Sequence, residues 1–250
     1  MTEPRHVLVT GAASGIGLAT ARAFAAQGDR LFLADVQEGV RDIASELLSS
    51  AVGVTAYVAD LSVSDQVLGL VRQVSEAGGC GVLVNCAGIS PKRKGESILP
   101  ADVTLEDWEI VMRVNLTAPF LLCRGLVPGM QRRKFGRIIN IASRAGRTYV
   151  APAGVDYAAS KAGLLGMTRH FAGSYAAEGI TANCIAPGRI ETPLSRRSSS
   201  RVLEEAVRLI PARRLGATEE IAATACFLAS TDAAYITGAC VDVNGGAFMS

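Results

Sequence analysis

Tyr157 and Lys161 stand four positions apart in AGVDYAASKAG, residues 153–163, a segment whose other residues are mostly small. Residues at i and i+4 of a helix lie one turn apart, so the phenol and the ammonium can share a pocket. A phenol has a pKa near ~10, and a fixed cation beside it favours the phenolate form. Tyr157 could then act as a general base. Taken alone, the pair is better explained as a surface tyrosine beside a lysine with an apolar stem.

A serine hydroxyl is predicted to lie near the same pair. Ser143 ends the strand-like run RIINIAS, residues 137–143, and Tyr157 and Lys161 begin the next predicted helix. Open α/β sheets bind ligands at the carboxyl ends of their strands. The sequence therefore brings a serine, a tyrosine and a lysine to one ligand-binding edge.

A glycine-rich turn follows the first predicted strand, HVLVT, residues 6–10, and precedes a helix. Such a turn can hold a phosphate on its backbone N–H groups and on the helix N-terminus. Its residues are Gly11, Ala12, Ala13, Ser14, Gly15, Ile16 and Gly17. The spacing is GxxxGxG rather than GxGxxG, and glycine turns also serve plain helix–strand packing. Alone, the turn is a weak signal of nucleotide binding.

Asp35 ends the second predicted strand, where a dinucleotide-binding fold places an acid on the adenosine ribose. A carboxylate there accepts hydrogen bonds from the ribose hydroxyls of NAD and repels the 2′-phosphate of NADP. Neither the glycine turn nor the next residue, Val36, supplies an arginine to offset that repulsion. The sequence predicts NAD as the cofactor, with NADP the less favoured choice.

The third and fourth predicted strands end in residues that suit a nucleotide pocket. Asp60 and Leu61 could contact the adenine, and the stretch Asn85-Cys86-Ala87-Gly88 is small enough to leave room for a cofactor. A turn-forming role would explain these residue types nearly as well.

Strand-like apolar runs alternate with helix-length segments along the whole chain, which is typical of βαβ units in a parallel sheet. The runs are 6–10, 30–35, 54–60, 81–85, 137–143, 181–187 and 239–243, and the helices are 15–27, 38–50, 63–77, 104–130, 156–178 and 218–230. Pro119 and Pro128 are expected to kink or shorten the fourth helix. We predict an α/β, Rossmann-type, doubly wound sheet of seven parallel strands with helices on both faces, in one domain, residues 1–250. Residues 189–216 are predicted to form a mobile substrate-binding flap.

Composition excludes several classes of function. The chain has 250 residues and a formal net charge of +2, which gives no electrostatic footprint for nucleic acid. Its six cysteines occur singly and its two histidines lack ligand spacing, so no metal site is predicted. No apolar run reaches the length of a membrane span. We expect a cytoplasmic protein with no nucleic-acid or membrane partner.

Taken together, these motifs resemble the short-chain dehydrogenase/reductase family, in the branch that contains 3-oxoacyl-carrier-protein reductases and sugar or sugar-acid dehydrogenases. The resemblance runs from Thr10 to Gly246. It rests on the glycine turn, Asp60-Leu61, Asn85 to Gly88, Asn115, Ser143, Tyr157-x-x-x-Lys161, Pro187-Gly188 with Thr192, and Gly245-Gly246. Each motif is weak alone, but their order and spacing together are specific.

The resemblance implies a role for each matching residue. Tyr157 would be the acid/base, Lys161 would lower its pKa and hold the nicotinamide ribose, Ser143 would orient the substrate oxygen, and Asn115 would fix a water that relays protons. Pro187, Gly188, Ile190 and Thr192 would border the nicotinamide. Cys86 stands where many members have an asparagine, a departure we expect to be tolerated. Members are commonly tetramers, so a homo-oligomer is expected.

Basic residues follow three successive predicted strands and suggest the substrate. They are Lys92, Arg93 and Lys94 after the fourth strand, Arg144 and Arg147 after the fifth, and Arg189 after the sixth. Arginine binds carboxylate or phosphate bidentately. We expect an anionic secondary alcohol such as a sugar acid, with Arg147 and Arg189 as the best anchors. The alternative is that these charges are solvated or pair with acids at a subunit contact.

Several other functions fit these residues less well. A 3-oxoacyl-thioester reductase would use the same residues but more commonly NADPH, against which Asp35 argues. A methyltransferase has no use for Ser143, Tyr157 and Lys161 together. A non-catalytic dinucleotide sensor would be expected to lack one catalytic side chain. A hydrolase built on Ser143 or Ser160 would have to use His170 and has no GxSxG elbow.

Overall fold

The computed structural model describes residues 4–93, 95–192, 204 and 207–249. Seven strands form one sheet in the order β3-β2-β1-β4-β5-β6-β7, and all neighbouring strands are parallel. The strands are β1 (His6–Thr10), β2 (Arg30–Asp35), β3 (Gly53–Val58), β4 (Val82–Asn85), β5 (Gly136–Ile141), β6 (Ile180–Pro187) and β7 (Cys240–Val243). The strand order reverses between β1 and β4, so the predicted doubly wound sheet is confirmed.

Helices cover both faces of the sheet. They are α1 (Gly15–Ala25), α2 (Val40–Leu47), α3 (Ser64–Glu76), α4 (Leu105–Met112), α5 (Ala118–Arg133), α6 (Val155–Tyr175) and α7 (Thr218–Ala229). Val7 and Val9 of β1 pack into one core with α1, α2 and α7, whereas Leu8 packs into the other with α3, α5 and α6. Because alternate residues of a strand face opposite sides, strands buried on both faces appear as unbroken apolar runs.

Two strands end earlier than the sequence predicts. β3 ends at Val58 rather than at residue 60, and β5 ends at Ile141 rather than at residue 143. Asp60 and Ser143 therefore belong to the turns that follow these strands. Both residues remain at the carboxyl edge of the sheet, where the hydrogen bonds between strands end and side chains can face a ligand.

The predicted helix 104–130 consists of α4, a π-helical turn at Arg113–Thr117, and α5. Pro119 lies in the first turn of α5, where a missing N–H is tolerated. In an α-helix Pro119 would be the donor for the carbonyl of Asn115, four residues earlier, and proline has no N–H to donate. Asn115 thus lies within the irregular turn, and π-turns of this kind are frequent at functional sites.

One described helical run, Leu105–Arg133, is long and apolar enough to cross a membrane by length and composition alone. The sequence predicted a helix over 104–130, but the expectation that no apolar run reaches the length of a membrane span is not met by this run. Leu122 and Met130 of this run are fully buried against the sheet. Its apolar character therefore supplies the protein core.

Part of the predicted flap, residues 189–216, falls outside the described residues, which omit 193–203, 205 and 206. Its first part, from Arg189 to Thr192, is described and borders the cleft discussed below.

Candidate active site

A cleft crosses the carboxyl edge of the sheet as two adjoining cavities of about 380 and 320 Å³. We name them the Asp35 cavity and the Tyr157 cavity after one lining residue of each. Both are lined by Ile16, Cys86, Gly88, Ile89 and Thr192. Because the shared wall belongs to both cavities, one elongated ligand could occupy them together.

The Asp35 cavity collects the predicted nucleotide-binding residues. Its lining includes Gly11, Ser14, Gly15, Ile16, Gly17, Asp35, Val36, Asp60, Leu61, Ala87 and Gly88. The Asp35 carboxylate accepts hydrogen bonds from the backbone N–H groups of Ala13 and Gln37, both at 2.9 Å. These bonds fix the glycine turn to the end of β2 and hold a negative charge at the cavity wall.

Two glycines in the turn are required by close backbone approach. A Cβ on Gly11, which has a φ of +68°, would lie 2.9 Å from the Cα of Ala87. A Cβ on Gly17 would lie 2.0 Å from the carbonyl oxygen of Gly11. Thr10 fastens the same contact, since its Oγ1 accepts the N–H groups of Cys86 and Ala87 at 3.1 and 3.2 Å. The turn is thus shaped for a ligand that approaches the backbone closely, as a pyrophosphate does.

The Tyr157 cavity brings together the serine, tyrosine and lysine that the sequence singled out. It is lined by Ser143, Tyr157 and Lys161, and by Pro187, Gly188, Ile190 and Thr192. The ammonium of Lys161 donates to the carbonyl of Ile141 at 2.7 Å and lies 5.7 Å from the centroid of the Tyr157 ring. The helix α6 and the end of β5 therefore position all three side chains.

The protonation behaviour of the pair differs from the expectation. Burial lowers the pKa of Lys161 to about 8. Burial also raises the pKa of Tyr157, and the Cys86 thiol adds to this effect, whereas a hydrogen bond with Ser143 lowers it. Among the protein's own groups, removal of water disfavours the phenolate more strongly than its neighbours favour it. The lowering of the Tyr157 pKa that the family resemblance implies for Lys161 stays a prediction.

Asn115 is fully buried and holds the loop after β4 beside Lys161. Its Nδ2 donates to the carbonyl of Ile89 at 2.9 Å and to Oγ of Ser160 at 3.1 Å, and its Oδ1 accepts the Ile89 N–H at 2.8 Å. A Cβ on Gly88 would lie 3.3 Å from both Asn115 Oδ1 and Lys161 Nζ. Asn115 is therefore adjacent to the lysine through this small residue.

Asn85 does not contribute its side chain to the cleft, contrary to the prediction that it binds the cofactor. It is 2% exposed, and its Nδ2 donates to Oδ1 of Asn140 at 2.7 Å. Asn140 in turn donates to Oγ1 of Thr168 at 2.8 Å. The sequence correctly placed Asn85 at the end of β4. Because side chains alternate along a strand, that of Asn85 points into the core, where its hydrogen bond through Asn140 links β4 to β5 and α6.

The predicted basic anchors divide into two groups. Lys92 and Arg189 line the Tyr157 cavity. Arg93 instead forms an ion pair with Asp107 at 2.7 Å, and Arg147 forms one with Asp242. Neither Arg93 nor Arg147 lines the Tyr157 cavity, and acids of other elements hold both guanidinium groups, so the structure gives no support to the predictions that they bind substrate. Lys94 lies outside the described residues.

Several apolar residues that line the Tyr157 cavity were not predicted from the sequence. They include Ile89, Ala145, Val150, Pro152 and Ala153. Their residue types carry no chemical signal, and most lie in loops without periodicity, so nothing in the sequence separated them from other apolar residues.

The match to known proteins agrees with this geometry. Residues 11–247 match a family model described as enoyl-(acyl carrier protein) reductase. The chain belongs to the short-chain dehydrogenase/reductase family and is an oxidoreductase that uses a nicotinamide dinucleotide. The glycine turn and the acid at the end of β2 fit such a cofactor.

Individual relatives cover nearly the whole chain. Nodulation protein G of Rhizobium sp. (strain N33) is 41% identical over 248 residues, which are 98% of this chain and 97% of the relative. A crystal structure of a 3-oxoacyl-[acyl-carrier protein] reductase from Brucella melitensis with bound NAD has a TM-score of 0.91 and 37% identity, covering 98% of this chain and 92% of that chain. A protein from Beutenbergia cavernae, proposed to be an NAD(P)-dependent gluconate 5-dehydrogenase and holding NADP at low occupancy, has a TM-score of 0.90 and 33% identity, covering 97% of this chain and 96% of that chain.

Proposed function

We propose that this protein interconverts a secondary alcohol and a ketone, with Tyr157 as the acid/base. The observation that carries the proposal is the convergence of Ser143, Tyr157 and the buried Lys161 in a cavity that adjoins the Asp35 cavity. A dinucleotide held by the glycine turn and Asp35 would reach the Tyr157 cavity through the wall that both share.

Each side chain has a distinct task in the proposed mechanism. The nicotinamide, when bound, supplies or accepts the hydride. In reduction, Tyr157 donates its phenolic proton to the carbonyl oxygen, and Ser143 donates a hydrogen bond to the same oxygen. In oxidation, Tyr157 as phenolate removes the hydroxyl proton. Lys161 stabilises the phenolate by its charge. Asn115 holds the loop beside Lys161 in place, and protons would pass between Lys161 and water next to this loop.

Replacement of the phenol tests this proposal. Tyr157→Phe should lower kcat by about 10²- to 10⁴-fold, the range for loss of a general acid or base, while NADH still binds. Tyr149→Phe is the matched control, because Tyr149 is 89% exposed and lies outside the cavity lining. Near-normal turnover by Tyr157→Phe would disprove the proposed role.

We further propose that NAD is the preferred dinucleotide. The support is the Asp35 carboxylate, which is held in place by two backbone N–H groups and would lie beside a 2′-phosphate. The charge repulsion should make kcat/KM for NADH exceed that for NADPH by at least tenfold, or about 1.4 kcal/mol. Asp35→Ser should shrink that ratio. A wild-type preference for NADPH would contradict the assignment.

The proposed substrate is an anionic hydroxy compound such as a sugar acid. Lys92 and Arg189 support this class, because both contribute to the Tyr157 cavity. We expect NAD⁺ reduction with polyhydroxy acids and much less with the matched neutral alcohols or lactones. Arg189→Met should raise KM for the acid more than KM for a neutral alcohol. Equal effects on both would remove the electrostatic argument.

A 3-oxoacyl thioester is the second candidate substrate. The apolar wall formed by Ile89, Val150, Pro152 and Ala153 favours it, since an acyl chain needs such a surface. The Brucella melitensis relative bears the corresponding name. NADH oxidation in the presence of an acetoacetyl thioester, compared with the reaction of the sugar acids, distinguishes the two classes. A sensor without catalysis would bind NADH and turn over neither.

We also propose that the protein is a cytoplasmic homo-oligomer, by family resemblance a tetramer. The exposed side chains of Leu105 and Phe120, on α4 and α5, support an assembly surface. The unpaired, buried thiols of Cys80 and Cys123 suit a reducing compartment. Light scattering of the purified protein measures the subunit number directly.

A further inference from the structure

The hydroxyl group of Ser143 is held by a short turn between β5 and α6. This turn, Arg144–Gly146, is a single 3₁₀ turn, and Oγ of Ser143 accepts the Ala145 N–H at 3.1 Å. The position of the hydroxyl therefore depends on the conformation of the turn itself. A shift of the turn would move Oγ away from Tyr157.

One side of the turn rests on α6. A Cβ on Gly146 would lie 2.7 Å from the carbonyl carbon of Lys161 and 2.8 Å from the Ala162 nitrogen. The turn thus packs directly against the backbone of the helix that carries Tyr157 and Lys161. It cannot move toward the helix, but this contact does not prevent it from moving away.

The other side of the turn is held by the end of the chain. Arg144 donates to the carbonyl of Ala247 at 3.0 Å. Arg147 forms an ion pair with Asp242 of β7, and its guanidinium carbon lies 4.9 Å from the centroid of the Phe248 ring. We name these contacts, of Arg144 and Arg147 with Asp242, Ala247 and Phe248, the C-terminal clamp.

The ion pair is the central contact of the clamp. The side chains of Arg147 and Asp242 are only 19% and 20% exposed, so solvent screens the pair less than a surface pair. Oδ1 of Asp242 is buried and has no hydrogen-bond partner among the described residues. Loss of the arginine would therefore leave a partly buried carboxylate without its described ion-pair partner, and the structure around it would have to rearrange.

We propose that Arg147 and Asp242 are positioning residues for the hydride-transfer reaction: their ion pair keeps the 144–146 turn against α6 and thereby fixes the Ser143 hydroxyl beside Tyr157. This inference rests on the proposed roles of Ser143 and Tyr157. Neither Arg147 nor Asp242 lines the Tyr157 cavity, so they act through the turn and not on the substrate.

Arg147→Met tests the inference, because methionine keeps much of the apolar stem and removes the guanidinium that pairs with Asp242 and lies over Phe248. We expect kcat to fall between about 10- and 100-fold, as misplacement of a catalytic group does. The Kd for NADH should stay unchanged. Asp242→Asn should have a similar effect, Arg147→Lys should restore most of the activity, and the double variant should be no worse than either single variant.

The pH profile supplies a readout that a purely structural role would not move. The groups that face Tyr157 are Ser143 from the turn, Lys161 from α6 and Cys86 from the loop after β4. Because the Ser143 hydrogen bond lowers the pKa of Tyr157, its loss should move the acid limb of the oxidation profile to higher pH in Arg147→Met and Asp242→Asn.

Arg93→Met is the matched control, since Arg93 is also ion-paired, but with Asp107 of α4, and lies outside the cavity lining. It should keep wild-type kcat and pH profile. The inference is overturned if Arg147→Met and Asp242→Asn fold and retain both properties, or if both fail to fold, which would make the pair a stability element. Loss of activity in Tyr157→Phe with normal Arg147→Met would leave the proposed function intact. Normal turnover in Tyr157→Phe would overturn the proposed function itself.

Discussion

Replacing Lys161 with methionine should abolish turnover yet leave the protein at least as stable as the wild type at pH 7. Lys161 is 3% exposed, and in the described part of the chain it forms no ion pair with a carboxylate. Burial depresses its pKa from 10.5 to about 8, although the thiols of Cys86 and Cys184 oppose the change. The buried ammonium therefore destabilises the folded protein, although the proposed reaction requires it.

The magnitude follows from the difference between the two pKa values, 10.5 in the unfolded chain and about 8 in the folded protein. Below pH 8 the lysine is charged in both states, and the native state carries the full cost, about 3 kcal/mol at about 1.4 kcal/mol per unit. Between pH 8 and 10.5 the unfolded chain binds more protons, so stability rises with pH. By pH 10 about 2 kcal/mol of the cost should be gone.

Methionine removes this cost but leaves the carbonyl of Ile141 without its donor, at about 1–3 kcal/mol. The net expectation at pH 7 is a gain of about 0–2 kcal/mol in the free energy of unfolding, or roughly 0–8 °C in Tm. Urea unfolding at pH 7 and at pH 10 measures the free energy of unfolding of each protein at both pH values. The advantage of Lys161→Met over the wild type should shrink by about 2 kcal/mol between the two pH values.

Lys134→Met is the control for this experiment, because the same substitution at an exposed lysine removes no buried ammonium. Burial raises the thiol pKa values of Cys80 and Cys123 in all three proteins alike, so their contribution cancels in the comparison. Lys161 lowers the thiol pKa values of Cys86 and Cys184, so its removal also changes their contribution at pH 10. If Lys161→Met is destabilised by more than about 1 kcal/mol at pH 7 and the difference is the same at pH 10, the assignment of a costly buried ammonium is refuted.

Three further substitutions test the scaffold. Pro119→Ala supplies the N–H that an α-helix would pair with the carbonyl of Asn115, so the π-helical turn should relax toward α-helix, and kcat should fall by about two- to tenfold without loss of Tm; unchanged kcat would argue against a role of the π-helical turn in positioning Asn115. Gly11→Ala places a Cβ 2.9 Å from the Cα of Ala87 at a φ of +68°, and fluorescence titration should show NADH binding weakened by at least about tenfold. Arg137 is 4% exposed, and its guanidinium donates to three main-chain carbonyls at the amino edge of the sheet. Arg137→Met should therefore lower the free energy of unfolding by about 2–4 kcal/mol, while kcat at 25 °C stays unchanged.

The sheet and the positions at its carboxyl edge were predictable from the sequence because burial imposes them. A strand covered on both faces has to be apolar at every position, as Val7, Leu8 and Val9 are, and the first polar residue after such a run marks the edge. Asp35 follows this rule, whereas in β5 the buried, hydrogen-bonded Asn140 comes before Ser143. The side-chain direction of a residue inside the run does not follow the rule, and for this reason Asn85 faces the core rather than the cleft.

The partners of the basic residues could not be predicted in the same way. A loop at the carboxyl edge places an arginine near the cleft, but its guanidinium extends several ångströms and is captured by whichever acid the fold brings within reach. For Arg93 that acid, Asp107, is 14 residues away, and for Arg147 it is Asp242, 95 residues away on the last strand. Only the three-dimensional strand order places β7 within reach of the turn after β5.

The same limit applies to the protonation of Tyr157. The i, i+4 spacing correctly placed Lys161 beside the phenol, but spacing contains no information about the water that folding removes from both groups. Burial raises the pKa of Tyr157 and lowers that of Lys161, so it favours the neutral form of each. A phenol that keeps its proton suits donation to a carbonyl oxygen, which is the reductive direction. Oxidation then depends on groups that favour the phenolate: the Ser143 hydrogen bond lowers the pKa of Tyr157, and the proposed mechanism adds the charge of Lys161.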